Sequence, residues 1–329
     1  MQKISAKTSK ILRSRKITHP MFNNESPIPS YHNHQAPTFA LIQPGCYGDN
    51  INSTLMLKPI KEKHPDSIID VWTSTTYGSA FYNNPYIDHL YELPSNSKDT
   101  ALHQLITIPD LIKNCGYTKI FNPHPMVNPD KWTSIKAGYL GTNIICAWVR
   151  ALEEADIPYT MPLETLLYLT DQEKENVNKY CSQVNMSGQI YIMEVSGESG
   201  QTFWNGDWTT KVCQHLLGHN SGLSIIISKR ETDNVIDALK HLFPNRIFFA
   251  GNLTLRECAE LYNRCDGFFS VSSGLSNICN TNYCKKDKLW IETVNGPSVT
   301  SAPIRAAGKR FWHENNLHNF LDMLQANNL

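Results

Sequence analysis

The sequence predicts an α/β protein made of two Rossmann-like halves, each with a parallel sheet, facing one another. Three observations predict it. At 329 residues the chain is long for one core and comfortable for two. Apolar runs of strand length alternate with segments of helical spacing, the order that produces right-handed parallel crossovers. Each half also opens alike, on a strand followed by a G-x-x-G loop, with Gly45 and Gly48 in the first and Gly197 and Gly200 in the second.

Residues 1–37 read as a basic and polar extension. Lys3, Lys7, Lys10, Arg13, Arg15 and Lys16 put six positive charges in the first sixteen residues, and Pro20, Pro27, Pro29 and Pro37 punctuate the remainder. Such a segment is either a solvated tail or an arm that makes weak contact with the phosphates of a nucleic acid or a membrane surface. Tyr31-His32-Asn33-His34 offers two histidines on a proline-rich loop, a poor start for a metal site.

Residues 38–160 form the expected amino-terminal domain. A buried strand at 38–42 leads into a loop over 44–50. Ile51, Leu55 and Ile60 then recur at helical spacing, with a bend or end near Pro59. Strands are expected at 67–72, 89–93 and 119–121, and a helix over 143–155. Residues 161–310 form the carboxyl-terminal domain. Its helices are expected at 208–217 and 232–242 and after two capping boxes, Thr170 with Glu173 and Thr254 with Glu257. Its strands are expected at 190–195, 224–228, 247–249, from Phe268, and at 288–292, the last of the chain. Residues 311–329 carry a terminal helix, expected over 311–324.

Ligands of open parallel sheets sit at the carboxyl ends of the strands. That rule singles out Asp49, flanked by Gly48 and Asn50, after the first strand, and His124 after the strand at 119–121. Asp49 can equally be a helix cap, and His124 a loop histidine without a role. In the second half, Phe268 to Ile278 reads as a buried strand, a tight turn and the start of a helix. Unpaired amides there, with the hydroxyls of Ser272, Ser273 and Ser276, could hold a phosphate without a basic side chain. The plain alternative is a serine-capped helix. Trp204 and Trp208 flank the preceding loop as site or core residues.

Composition narrows the class. With 41% hydrophobic and 18% charged residues the chain can bury sizeable cores. Thirty basic against thirty acidic residues leave no general attraction to nucleic acid or anionic lipid, so any such attraction is local. Nine scattered cysteines without a C-x-x-C pair point to reduced thiols and a cytoplasmic protein, at most peripheral to a membrane. No apolar run is long enough to span a bilayer, and the amino terminus lacks the apolar region of a secretory signal.

Five short segments in order carry a resemblance. They are Gly48-Asp49-Asn50 running on to His64-Pro65-Asp66; Asn84-Pro85-Tyr86-Ile87-Asp88; Leu167-Tyr168-Leu169-Thr170; Ala250-Gly251-Asn252-Leu253-Thr254-Leu255; and Ser270 to Asn277. Over residues 38–300 the chain resembles glycosyltransferase family 9, the ADP-heptose:lipopolysaccharide heptosyltransferases and their relatives. The resemblance implies a GT-B fold, two Rossmann-like domains with parallel sheets across a cleft. It implies inverting transfer of a sugar from a nucleotide-diphosphate sugar to a saccharide hydroxyl, with residues 38–160 as the acceptor-side domain, Asp49 in the place of the general base and Gly48 and Asn50 on the acceptor side. It further implies a donor site built from Gly197, Thr202, Trp204, Glu231, Leu253, Ser272, Ser273, Gly274, Ser276 and Asn277. Glu231 would accept from the ribose hydroxyls and Leu253 would pack on the base.

No D-x-D pattern occurs, so no metal or other cofactor is expected, and dipoles and hydroxyls are left to meet the charge of the leaving diphosphate. The departures concern the donor. The family usually has Asp-Thr-Gly followed by His where this chain has Ser272-Ser273-Gly274 and Asn277, and commonly a lysine where Gln201 or Thr202 stands. Two alternatives follow: a transferase acting on modified DNA or another polymer through the basic arm, or a sugar- or nucleotide-binding protein that has lost catalysis.

Overall fold

A computed structural model of the chain describes residues 28–124, 127, 145–160, 163–184, 188–197, 202–228, 233–285, 287–293, 308–312 and 315–329. The basic residues of the first sixteen, the second loop's Gly200, and Gln201 and Glu231 lie outside the described residues. The described chain divides into two compact units, the second of which takes over at Glu164.

Unit 1 carries a wholly parallel sheet in the order β3-β2-β1-β4. Its strands are β1 (Thr38–Ile42), β2 (Ile68–Ser74), β3 (His89–Leu93) and β4 (Lys119–Phe121). All five residues of β1 are buried, as a strand covered on both faces requires. Between β1 and β2 the chain forms α1 (Tyr47–Ser53), a 3₁₀ turn (Thr54–Met56) and α2 (Leu57–Lys63). Pro59 accounts for the tightening, because its ring opposes the carbonyl four residues back, that of Leu55.

Two expectations change here. The loop expected over 44–50 is shorter, since α1 begins at Tyr47 and takes Gly48, Asp49 and Asn50 into its first turn. The sequence reading also lacked α3 (Lys98–Ile112), although its signals are present. Ser97 and Thr100 form a reciprocal cap, and Ala101, Leu105, Ile108 and Ile112 bury one face. Unit 1 also receives α4 (Ile145–Glu153) from Ala147 onward.

The end of the amino-terminal extension is docked. Tyr31 donates its backbone N–H to Cys115 O (2.7 Å) and its hydroxyl to Asp70 Oδ2 (2.7 Å). Asp70 is fully buried in β2; it also accepts from the Tyr117 hydroxyl (2.6 Å) and contacts His89 Nδ1 (2.8 Å). The Trp72 ring stacks on Tyr91 at 4.2 Å within the same core.

Unit 2 carries a parallel sheet in the order β10-β9-β8-β5-β6-β7. In chain order it contains α5 (Asp171–Gln183), β5 (Gln189–Glu194), α6 (Gly206–His219), β6 (Leu223–Ser228), α7 (Asn234–Leu242), β7 (Ile247–Phe249), α8 (Leu255–Arg264), β8 (Gly267–Val271), α9 (Gly274–Cys279), β9 (Leu289–Thr293), β10 (Gly308–Trp312) and α10 (Leu317–Ala326). Both expected capping boxes form, at Thr170 with Glu173 and at Thr254 with Glu257. Buried Arg256 ties them together by donating to Glu173 Oε1 (2.5 Å) and Oε2 (3.0 Å) and to Tyr168 O (2.7 Å).

The carboxyl terminus differs from expectation. β9 is not the last strand, and the terminal helix starts at Leu317 rather than at 311. Phe311 and Trp312 instead lie in β10, in parallel register with Glu292 and Thr293. α10 closes the unit by burying Phe320 and Leu324, with Phe320 5.1 Å from Trp208 and 6.0 Å from Trp204 between ring centroids. Each described cysteine is a free thiol. Among the described residues no helix is long and apolar enough to cross a membrane.

Candidate functional site

In unit 1 the strand order reverses between β1 and β4, so the two loops leaving that pair diverge and leave a crevice at their carboxyl ends. The two candidates come from those loops. His124 Nε2 lies 3.5 Å from Asp49 Oδ2, the imidazole 6% and the carboxylate 24% exposed. Cys46 is the α1 N-cap, though its side chain makes no cap hydrogen bond, so Asp49 is not the cap; it sits in the first turn, where the dipole favours an anion. Gly45 fits between neighbours, since a Cβ there would stand 3.2 Å from both His124 Nε2 and Gln43 Nε2.

The acceptor-side expectation for Asn50 is corrected. Asn50 is fully buried, and its Nδ2 donates to Thr73 Oγ1 (3.2 Å) and Tyr77 O (3.0 Å). Thr73 in turn donates to Gln43 O (2.9 Å), and Ser74 Oγ to Pro44 O (2.9 Å). These bonds pin the loop after β1 to the end of β2, so Asn50 holds Asp49 in place from behind. Gly48 is half-buried in the same turn.

In unit 2 the order reverses between β5 and β8, and again the candidates follow those strands. A Cβ on Gly197 would lie 3.3 Å from Val271 Cγ2 and 3.5 Å from Ser272 O, so the two loops touch. The turn at Ser272 to Asn277 is capped rather than open. Ser273 Oγ accepts from the amides of Leu275 (3.0 Å) and Ser276 (3.2 Å), and Ser276 Oγ accepts from that of Ser273 (3.1 Å). Asn277 Nδ2 donates to Ser273 O (2.7 Å), and buried Ser272 donates its N–H to Thr293 O (3.3 Å). Amides that a phosphate would need are therefore occupied by the turn's own side chains, a correction to the open cradle; Gly274 sits half-buried between them.

The sequence reading missed the acids beside this turn. Glu194, at the end of β5, is buried and accepts from Ser273 Oγ at 2.5 Å; Glu292 of β9 is fully buried on the other side of β8. Their signal was a lone charge in each of two otherwise uncharged segments, Ile190 to Val195 and Leu289 to Val294. Burial first, and then the Glu292 carboxylate, push the Glu194 carboxyl well above its ordinary range against the opposing Ser273 and Val271 hydrogen bonds. The folded chain thus keeps a proton that the unfolded chain loses from about pH 4 upward. That stabilisation is complete below the unfolded value and is lost as pH rises through the folded one. Glu194→Gln, which cannot ionise, is expected to melt nearer to wild type at acid pH and to lose less of its melting temperature on going alkaline; thermal melts across pH check it.

The other donor candidates divide. Trp204 is buried against Trp208, its Nε1–H donating to Thr209 Oγ1 (2.9 Å), and its N–H donates to Thr202 Oγ1 (3.0 Å). It nevertheless lines a cavity of about 240 Å³ with Val195, Ser196, Asn205 and Asp233. This cavity opens where the loop after β5 meets the starts of α6 and α7, whose caps are Asn205 and Asp233. Leu253 is half-buried in the turn before α8, bonded through its N–H to Ala250 O (2.9 Å), and is not part of the cavity lining. Among the described residues no group of three or more His, Cys, Asp or Glu could hold a metal ion.

The chain is similar in structure to a glycosyl transferase family 9 protein from Veillonella parvula, with a TM-score of 0.65 at 12% identity over 92% of this chain and 90% of that one. It is similar to E. coli ADP-heptose LPS heptosyltransferase II, with a TM-score of 0.59 at 14% identity over 88% and 98%. It is also similar to an E. coli heptosyltransferase determined with ADP, with a TM-score of 0.56 at 10% identity over 89% and 100%. The fold is that of the family 9 glycosyltransferases. In this GT-B fold Asp49 and His124 follow the switch-point strands of one sheet, and Gly197 and Ser272 those of the other. No family model matches the sequence, and no curated protein sequence matches it.

Proposed function

We propose that the chain is an inverting, metal-independent glycosyltransferase that moves a sugar from a nucleotide-diphosphate sugar to a hydroxyl of a glycan or lipid-linked saccharide. The observation that carries this reading is Asp49 beside His124 at the switch point of unit 1, on a fold shared with heptosyltransferases. Asp49 takes the acceptor's hydroxyl proton as that oxygen bonds to the anomeric carbon. The anomeric C–O bond breaks from the opposite side, and its electron pair leaves with the nucleoside diphosphate. Unit 2 binds the donor around the loops after β5 and β8, a reading supported by the cavity that Trp204 and Asp233 line beside the first of them.

One observation favours a second reading, a sugar- or nucleotide-binding protein without turnover. The amides of Ser273, Leu275 and Ser276 are already satisfied, and Glu194 puts a carboxyl group next to them. A diphosphate must displace Ser273 Oγ or bind beside it, and only a protonated Glu194 tolerates it there. Thermal melts with a panel of nucleoside diphosphates and nucleotide sugars, followed by assay of diphosphate release, separate the two. Transfer predicts that one donor raises the melting temperature and is turned over. Binding alone predicts a raised melting temperature without turnover, and no shift with any donor sinks both.

A further inference from the structure

We infer that His124 orients Asp49, so that unit 1 holds a carboxylate positioned by an imidazole rather than a lone carboxylate. This rests on the reading of Asp49 as the base. Exposure assigns the order: the carboxylate is 24% exposed and the ring 6%, so Asp49 meets the acceptor and His124 stands behind it. The ring turns Nε2 toward Oδ2 at 3.5 Å. A neutral imidazole carries one N–H, and opposite a carboxylate that proton belongs on the facing nitrogen. Nε2–H therefore donates to Oδ2, which leaves Oδ1 to receive the acceptor proton as the acceptor oxygen bonds to carbon. The arrangement is a base held by a second group.

Gln43 lies near this pair without bonding to it. It follows the last residue of β1 and is fully buried, and neither its Nε2 nor its Oε1 has a hydrogen-bond partner among the described residues. Buried amides are rarely left so, because an unmade bond of this kind costs about 1–3 kcal/mol. The Gln43 backbone cannot drift, since its N–H donates to Trp72 O (2.9 Å) and its O accepts from Thr73 Oγ1 (2.9 Å). Its Nε2 and His124 Nε2 each stand 3.2 Å from the point where a Gly45 Cβ would lie. A residue without a side chain at 45 thus lets amide and imidazole close on one small space beside the carboxylate.

The test uses the full chain labelled with ¹⁵N-histidine, observed by NMR at a pH where histidines are neutral. The His124 signal is identified by its loss in His124→Gln. The expected result is an Nε2–H tautomer in wild type that becomes mixed in Asp49→Ala, with thermal melts confirming that the variant folds. An Nδ1–H tautomer in wild type, or one indifferent to Asp49→Ala, overturns the proposal. This measurement needs no substrate, so it stands or falls separately from the failure of every nucleotide sugar to turn over, which would sink the transferase reading alone. With a donor in hand, His124→Leu is expected to lower kcat by about 10–100-fold at unchanged donor KM. His124→Gln, whose amide nitrogen can stand in for Nε2–H, should recover most of that loss. Equal losses in the two variants overturn the orienting role.

Discussion

Asp49→Asn is expected to lower turnover by about 10²–10⁴-fold while leaving donor affinity within a few-fold of wild type. The substitution keeps volume and the ability to accept a hydrogen bond from His124, and it removes only the capacity to take a proton. Asp49 lies in unit 1, whereas the Gly197, Ser273 and Trp204 loops that we assign to the donor lie in unit 2. A loss confined to kcat, with titration of the nucleotide sugar unchanged, is the signature of a group that acts only in the transition state. Turnover equal to wild type in Asp49→Asn would remove the base from this carboxylate. A parallel loss of donor binding would mean that Asp49 shapes the donor site instead.

Asp70→Leu is expected to destabilise unit 1 by roughly 3–5 kcal/mol, since it strands two part-buried hydroxyls at about 1–3 kcal/mol each and removes the contact of His89 with this carboxylate. Tyr31 and Tyr117 donate to one carboxylate oxygen and His89 meets the other. Burial first, and then the charge of Asp70, push both phenols well above the ordinary tyrosine range, so they stay protonated and keep donating. Tyr31 belongs to the segment leading out of the amino-terminal extension, so the same substitution should also loosen residues 28–37. Denaturant unfolding reads the first effect, and limited proteolysis in that segment under native conditions reads the second. Asp70→Asn, which still offers one acceptor oxygen, should fall between wild type and Asp70→Leu in both. A proteolysis pattern unchanged in Asp70→Leu would show that backbone contacts such as Tyr31 N–H to Cys115 O suffice to hold the segment.

Local pattern carried most of the fold. The strands at 38–42, 89–93, 119–121 and 247–249 match to the residue, because each is a short apolar run between polar turns. Thr170 and Thr254 announced their helices, because a capping box satisfies its own amides within four residues. α3 was equally legible in Ser97 and in the spacing of Ala101, Leu105, Ile108 and Ile112. Its chain carries a proline at 109, a residue that speaks against a helix unless packing of the buried face outweighs the lost bond.

What the sequence determined by itself, then, is which residues leave the carboxyl ends of strands, Asp49 and His124 in one half and Gly197 and Ser272 in the other. Strand ends follow from hydrophobic runs, and those are local. Only the tertiary structure decided which strands lie side by side, because pairing depends on contacts between residues far apart in the chain. It placed β1 against β4, which sets Asp49 3.5 Å from His124 with Gln43 beside them. It placed β5 against β8, which sets Glu194 on Ser273 and turns an expected phosphate cradle into a capped, acid-bearing turn. Hydrogen bonds are satisfied by whatever the fold brings within about 3 Å, and no spacing along the chain announces that.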